Sequence, residues 1–147
     1  MEHTYLFCPG RWRAEGTYYD DMGRPFPLTG WSELVRGAGE WTLEGALEVR
    51  CSPPVCFSNR YQIRETDRPH TLAWRSFNPA LGELEGTFEL AGESILSRYV
   101  SRDRIYSGCE VLTLREDGSY YNAGVSMKKG RRMSAWTARL TGEERGT

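Results

Sequence analysis

The sequence predicts an all-β chain, folded as a single antiparallel up-and-down β-barrel of about ten strands without a helical lid. Three observations predict it. Glycine and proline punctuate the chain every 8 to 12 residues or so. Between these breaks apolar and polar side chains alternate with a period of two, and no stretch repeats with the helical period of about 3.6. The intervening turns are short, which suits hairpins and leaves no room for the crossovers that parallel strands need.

The first strand runs from Gly10 to Tyr19, with Trp12, Ala14, Gly16 and Tyr18 on one face and Arg11, Arg13, Glu15 and Thr17 on the other. Turn formers from Asp20 to Pro25 end it. The second covers about Leu28 to Arg36 and stops at Gly37-Ala-Gly39. The third, Glu40 to Arg50, sets Trp41, Leu43, Leu47 and Val49 against Thr42, Glu44, Glu48 and Arg50. Pro53-Pro54 precedes the fourth, Val55 to Glu65, whose apolar face carries Val55, Phe57, Tyr61 and Ile63, with Asn59 in the same register.

After Thr66 to Pro69, the fifth strand spans Thr71 to Asn78 with Leu72, Trp74 and Ser76 in phase. The sixth, Glu83 to Leu90, opposes Leu84, Gly86, Phe88 and Leu90 to a charged face. The seventh, Ser94 to Ser101, and the eighth, Ile105 to Arg115, carry polar residues on both faces, so alternation alone does not orient them. Asp117-Gly118 is a hairpin signal, since such a pair supplies the positive φ angles of a tight turn. The ninth strand, Ser119 to Met127, and the tenth, Arg131 to Leu140, flank Lys128-Lys-Gly130. Residues 1–9 and 141–147 are expected to be loose termini of the one domain, residues 1–147.

A ten-stranded sheet is too long to stay open, and closure removes both edges. At this strand count a barrel is wider than its side chains readily fill, so a cavity is the expected consequence.

Composition limits the function. The 147 residues hold 19 basic and 20 acidic side chains, a formal charge of −1, which argues against a nucleic-acid or anionic-membrane partner. No run approaches the ~20 apolar residues of a membrane span, nor a signal-peptide core. A cytoplasmic monomer or homodimer is the expectation. The four cysteines, at 8, 51, 56 and 109, lack Cys-x-x-Cys spacing and read as reduced thiols, with Cys109 a small buried hydrophobe. With His3 and His70 as the two histidines, no metal site is expected, and no cofactor is implied.

Gly10-Arg11-Trp12 on the first strand of such a meander resembles the calycin superfamily of lipocalins and fatty-acid-binding proteins. The resemblance implies that Trp12 closes one end of the barrel beneath a basic residue from near the end of the last strand. Arg139 is the best match to that residue, with Arg131 or Arg132 as substitutes. The chain departs from fatty-acid-binding proteins, which insert two helices after the first strand and carry an Arg-x-Tyr carboxylate clamp. It also departs from nitrobindin-like barrels, which bind haem through a late histidine. The resemblance is therefore one of architecture.

The cavity lining implied by the faces includes Leu43, Leu47, Phe57, Leu84 and Phe88, with Trp74 and Trp136 as aromatic plates. A pocket of this kind suits an apolar or aromatic small molecule, although each of these residues serves equally as core filling. Polar groups in the same registers are Asn59, Tyr61, Ser76, Ser97 and Tyr99, with Asn122 as a further candidate. A buried amide or hydroxyl needs a partner, whether neighbour, water or ligand.

Charged candidates are Glu33, Arg75, Arg98 and Glu110. Glu33 and Glu110 could serve as general base if buried, and otherwise belong to a solvated outer face. No Ser-His-Asp set or phosphate loop is present. The leading expectation is a carrier or sequestering barrel for a small hydrophobic molecule. The alternatives are a cofactor-independent isomerase or cyclase acting inside the barrel, and an interaction module presenting the region of Trp31.

Overall fold

In the computed structural model, which describes residues 2–143, ten antiparallel strands close into one barrel. They are β1 Gly10–Tyr19, β2 Pro25–Arg36, β3 Trp41–Val49, β4 Val55–Glu65, β5 Thr71–Asn78, β6 Gly82–Ala91, β7 Ser94–Ser101, β8 Tyr106–Leu114, β9 Tyr120–Lys128 and β10 Arg131–Gly142. Each pairs with its neighbours in sequence, and β10 returns to β1 to close the cylinder. No helix long and apolar enough to cross a membrane occurs among the described residues.

Alternation puts one residue in two on the inside. The seam is typical: Ala14 pairs with Leu140 and Gly16 with Ala138, while Arg13 and Glu15 face solvent. The Asp117-Gly118 turn forms as its chemistry requires, with Gly118 at φ 85°. The Asp117 carboxylate is held below the usual carboxylate range, chiefly by hydrogen bonds from Ser119 and also by Arg139.

Two ends of the cylinder differ. At one, buried Trp12, Leu34, Trp41, Ile63, Leu72, Ile95, Leu112, Leu114, Tyr120 and Leu140 join a continuous core. Residues 1–9, which patterning leaves outside the barrel, are corrected here: Tyr5 and Leu6 enter this core at 8% and 1% exposure. Leu6 adopts a positive φ of 75°, costly for a residue with a Cβ, and its carbonyl accepts a hydrogen bond from Trp41 Nε1. His3 reinforces the plug, its ring nitrogens 2.8 Å from Tyr120 Oη and 2.9 Å from the Gly92 carbonyl.

At the other end a smaller cluster of Leu28, Val49 and Ala138 packs with Tyr18, Phe26, Leu47, Cys51 and Trp136. Tyr18 stacks on Phe57 with centroids 6.1 Å apart, and Phe57 remains 38% exposed. This end is an aromatic rim. Of the tail expected to be loose, Thr141 and Gly142 belong to β10, and residues 144–147 lie outside the described residues.

Candidate functional site

Between plug and rim the wall carries a belt of inward-facing polar groups. The registers place Asn59 and Tyr61 on β4, Ser76 on β5, Ser97 and Tyr99 on β7, Glu110 on β8 and Asn122 on β9 toward the lumen. Leu43, Trp74, Phe88 and Trp136 share those inward registers and supply apolar surface beside them.

Glycines make room for the aromatic plates. A Cβ on Gly86 would meet the Trp74 ring at 2.6 Å, one on Gly108 the Tyr99 ring at 2.3 Å, and one on Gly124 the Trp136 ring at 2.3 Å. Each ring thus lies against the wall over a cross-strand glycine. Tyr61 and Trp74 meet edge to face at 4.8 Å, and Trp74 also adjoins Phe88 and Tyr99 at 6.0 and 6.2 Å.

Glu110 is the charged residue of this belt. It is half-buried on the inward face of β8, beside the packed core that holds Trp74 and Phe88. Burial pushes its carboxyl above the ordinary glutamate range, and a hydrogen bond from Asn122 opposes the shift. That bond is set by a relay. Trp136 Nε1, which can only donate, gives a 2.9 Å bond to Asn122 Oδ1, so Asn122 must turn Nδ2 toward Glu110 Oε2, 3.2 Å away. Asn122 Nδ2 also bonds the Val111 carbonyl at 3.1 Å.

The other polar groups are partly paired. Tyr99 Oη is 3.1 Å from Ser126 Oγ, and Tyr5 Oη is 3.4 Å from Ser32 Oγ. Burial raises the phenol pKa of Tyr5, Tyr61 and Tyr99, so all three are neutral donors at physiological pH. Two buried atoms have no partner among the described residues: Trp74 Nε1 and Ser76 Oγ. Their residues are 5% and 6% exposed.

Several expectations are corrected. Glu33 sits on the outer wall, paired in register with Arg11 and Glu44, because its neighbours Ser32 and Leu34 take the inward positions. Arg139 also points outward, to Asp117 at 2.6 Å, and does not cover Trp12; it neighbours Ala138 and Leu140, which take the inside. Arg131 and Arg132 are exposed too, before a bulge that ends at Ser134. What covers Trp12 is aromatic, with Tyr5 and Tyr120 edge-on at 5.4 and 5.6 Å. Cys109 is exposed, since the inward phase of β8 runs through Gly108 and Glu110. Arg75 and Arg98 face solvent.

Trp31 lies on the outer wall beneath the Arg11 guanidinium, 4.4 Å from its ring. Sequence reasoning missed the plug and the Trp136–Asn122–Glu110 relay. The apolar run Tyr5 to Phe7 was the available signal for the first, and nothing local signals the second.

These features define a class: a closed ten-stranded antiparallel barrel, plugged at one end, with a polar belt around its lumen. Among solved structures the chain is similar to Rv2717c from M. tuberculosis, with a TM-score of 0.61 and 16% identity over 92% of each chain. At that identity the likeness is one of fold. No protein-family model matches the chain, and no curated protein matches it significantly.

Proposed function

We propose that the barrel binds a small, mainly apolar or aromatic molecule in its lumen, as a carrier or sequestering protein of the cytoplasm related in architecture to the calycins. The observation that supports this most is the pair of buried, unpartnered polar atoms, Trp74 Nε1 and Ser76 Oγ. A buried polar group left unpaired costs about 1 to 3 kcal/mol, and these two stand on neighbouring inward positions of β5. A ligand that fills the lumen and offers an acceptor oxygen removes both penalties.

Native mass spectrometry of protein from its own host tests the reading. Retention of a small molecule that falls in Trp74→Phe and Ser76→Ala, with Ser76→Ala at least as stable as the wild type, is the expected result. An empty lumen in the wild type, together with no binder in a screen of aromatic and aliphatic compounds, removes the reading.

A second reading rests on Glu110. A carboxyl that burial makes a weaker acid than an ordinary glutamate, beside neutral tyrosines, can act as a general acid or base on a hydrophobic substrate that isomerises or cyclises. Turnover abolished in Glu110→Gln, with ligand affinity retained, would favour catalysis over carriage.

A further inference from the structure

We propose that the lumen selects organic ammonium ligands, a protonated amine on an aromatic or apolar body, with Glu110 as the counter-ion and the rings around it as the seat. This rests on the reading of the lumen as a binding site and names its ligand class.

Among the described residues, the inward registers between the rims carry one formally charged side chain, Glu110. They reach charged residues again only at strand ends, where Arg36, Glu65, Lys128 and its register partner Arg131 are exposed. Arg36 and Lys128 there lie over Trp41 and Tyr106, at 4.9 and 5.8 Å from the rings. No cation from the chain therefore answers Glu110 inside the lumen.

Folding turns the carboxyl inward and half-buries it, and its one side-chain hydrogen bond among the described residues is the 3.2 Å contact from Asn122. An arriving ammonium restores what burial removed, whereas a carboxylate ligand adds like charge in a poorly solvated space. The surroundings suit a cation as well. A Cβ on Gly124 would touch both the Trp136 ring and Glu110 Cβ, so ring and acid are neighbours. Glu110 also acts electrostatically on Tyr5, Tyr61 and Tyr99, and Tyr61 and Tyr99 flank Trp74. Ring faces attract ammonium groups, most strongly where water is scarce. The unpartnered Trp74 Nε1 and Ser76 Oγ add a demand for an oxygen acceptor elsewhere on the same ligand.

The titratable groups facing Glu110 are Tyr5 from the plug, Tyr61 from β4 and Tyr99 from β7, all neutral at physiological pH. Below the pH at which the amine itself loses its proton, binding is then linked to ionisation of Glu110, and affinity rises with pH until the carboxyl is fully charged.

Calorimetric titration of the full chain with tyramine, tyrosol and para-hydroxyphenylacetate separates charge from shape. Tyramine is expected to bind at least about tenfold tighter than tyrosol at neutral pH, with the carboxylate weakest, and Glu110→Gln is expected to erase the preference of amine over alcohol. Should that variant fail to fold, the wild-type pH profile decides: tyramine affinity climbs as Glu110 ionises and tyrosol affinity does not. Equal or tighter binding of tyrosol, survival of the preference in Glu110→Gln, or no binding of any probe overturns the ammonium assignment. The lumen reading falls separately, on an empty barrel in native mass spectrometry.

Discussion

Glu110 couples the chemistry of the lumen to the stability of the fold. Its carboxyl is pushed up by burial, so between its ordinary value near 4.5 and its folded value the native state holds a proton that the unfolded state has released. The contribution of Glu110 to stability is then largest in acid, falls as pH rises through that window, and levels off above it. Each tenfold difference in proton affinity between the folded and unfolded chain corresponds to a loss of about 1.4 kcal/mol. Urea denaturation across the window should show this slope in the wild type and not in Glu110→Gln, and parallel profiles would deny the burial of the charge. Trp12 and Arg139 make a contrast at the same scale. Trp12→Ala empties a buried site among Tyr5 and Tyr120 and should cost about 3 to 5 kcal/mol. Arg139→Ala removes an exposed ion pair and should cost less than about 1 kcal/mol in the same denaturation experiment.

Among the elements, the segment before β1 behaves as part of the barrel. Leu6 is nearly inaccessible and holds an unfavourable backbone angle, which its buried side chain and the bond from Trp41 must offset. Leu6→Ala should therefore cost about 2 to 5 kcal/mol, although it precedes every strand. Amide exchange should speed up at Thr4 to Cys8, where the turn is closed by bonds from Phe7 and Cys8 to the Thr4 carbonyl. A change below about 0.5 kcal/mol would show that the plug does not contribute to the fold. The same plug leaves the aromatic rim of Tyr18, Phe26 and Phe57 as the end through which the proposed ligand would enter.

For the whole molecule, closure is the decisive event. The pairing of β1 with β10 joins the two ends of the described chain and depends on close approach at Gly16, where a Cβ would lie 1.9 Å from the Thr137 carbonyl oxygen. Gly16→Ala must push the seam apart and should cost on the order of 3 kcal/mol, by the general cost of overpacking. Loss of amide protection should reach β9 as well as β1 and β10, because an opened cylinder exposes its lumen along the full length. Protection lost from β1 alone would show that the barrel tolerates an open seam.

The strand count, the hairpin order and most strand limits were legible in the sequence; β4, β5 and β7 begin and end where alternation and turn residues put them. So were the inward positions of Asn59, Tyr61 and Ser76, because each shares the phase of an apolar strand face. Where both phases are polar, as on β8, the local pattern is silent, and Glu110 could be assigned to either face. Only pairing, carried from the apolar faces of β5 and β6 through β7, turns Glu110 inward and Cys109 outward. Glu33 and Arg139 went the other way for the same reason, since their neighbours claim the interior. The sequence by itself determined the cylinder, through a period of two that burial of one face enforces. Tertiary structure decided which end is plugged, which acid is enclosed and which donors lack partners, because those follow from contacts between residues far apart in the chain.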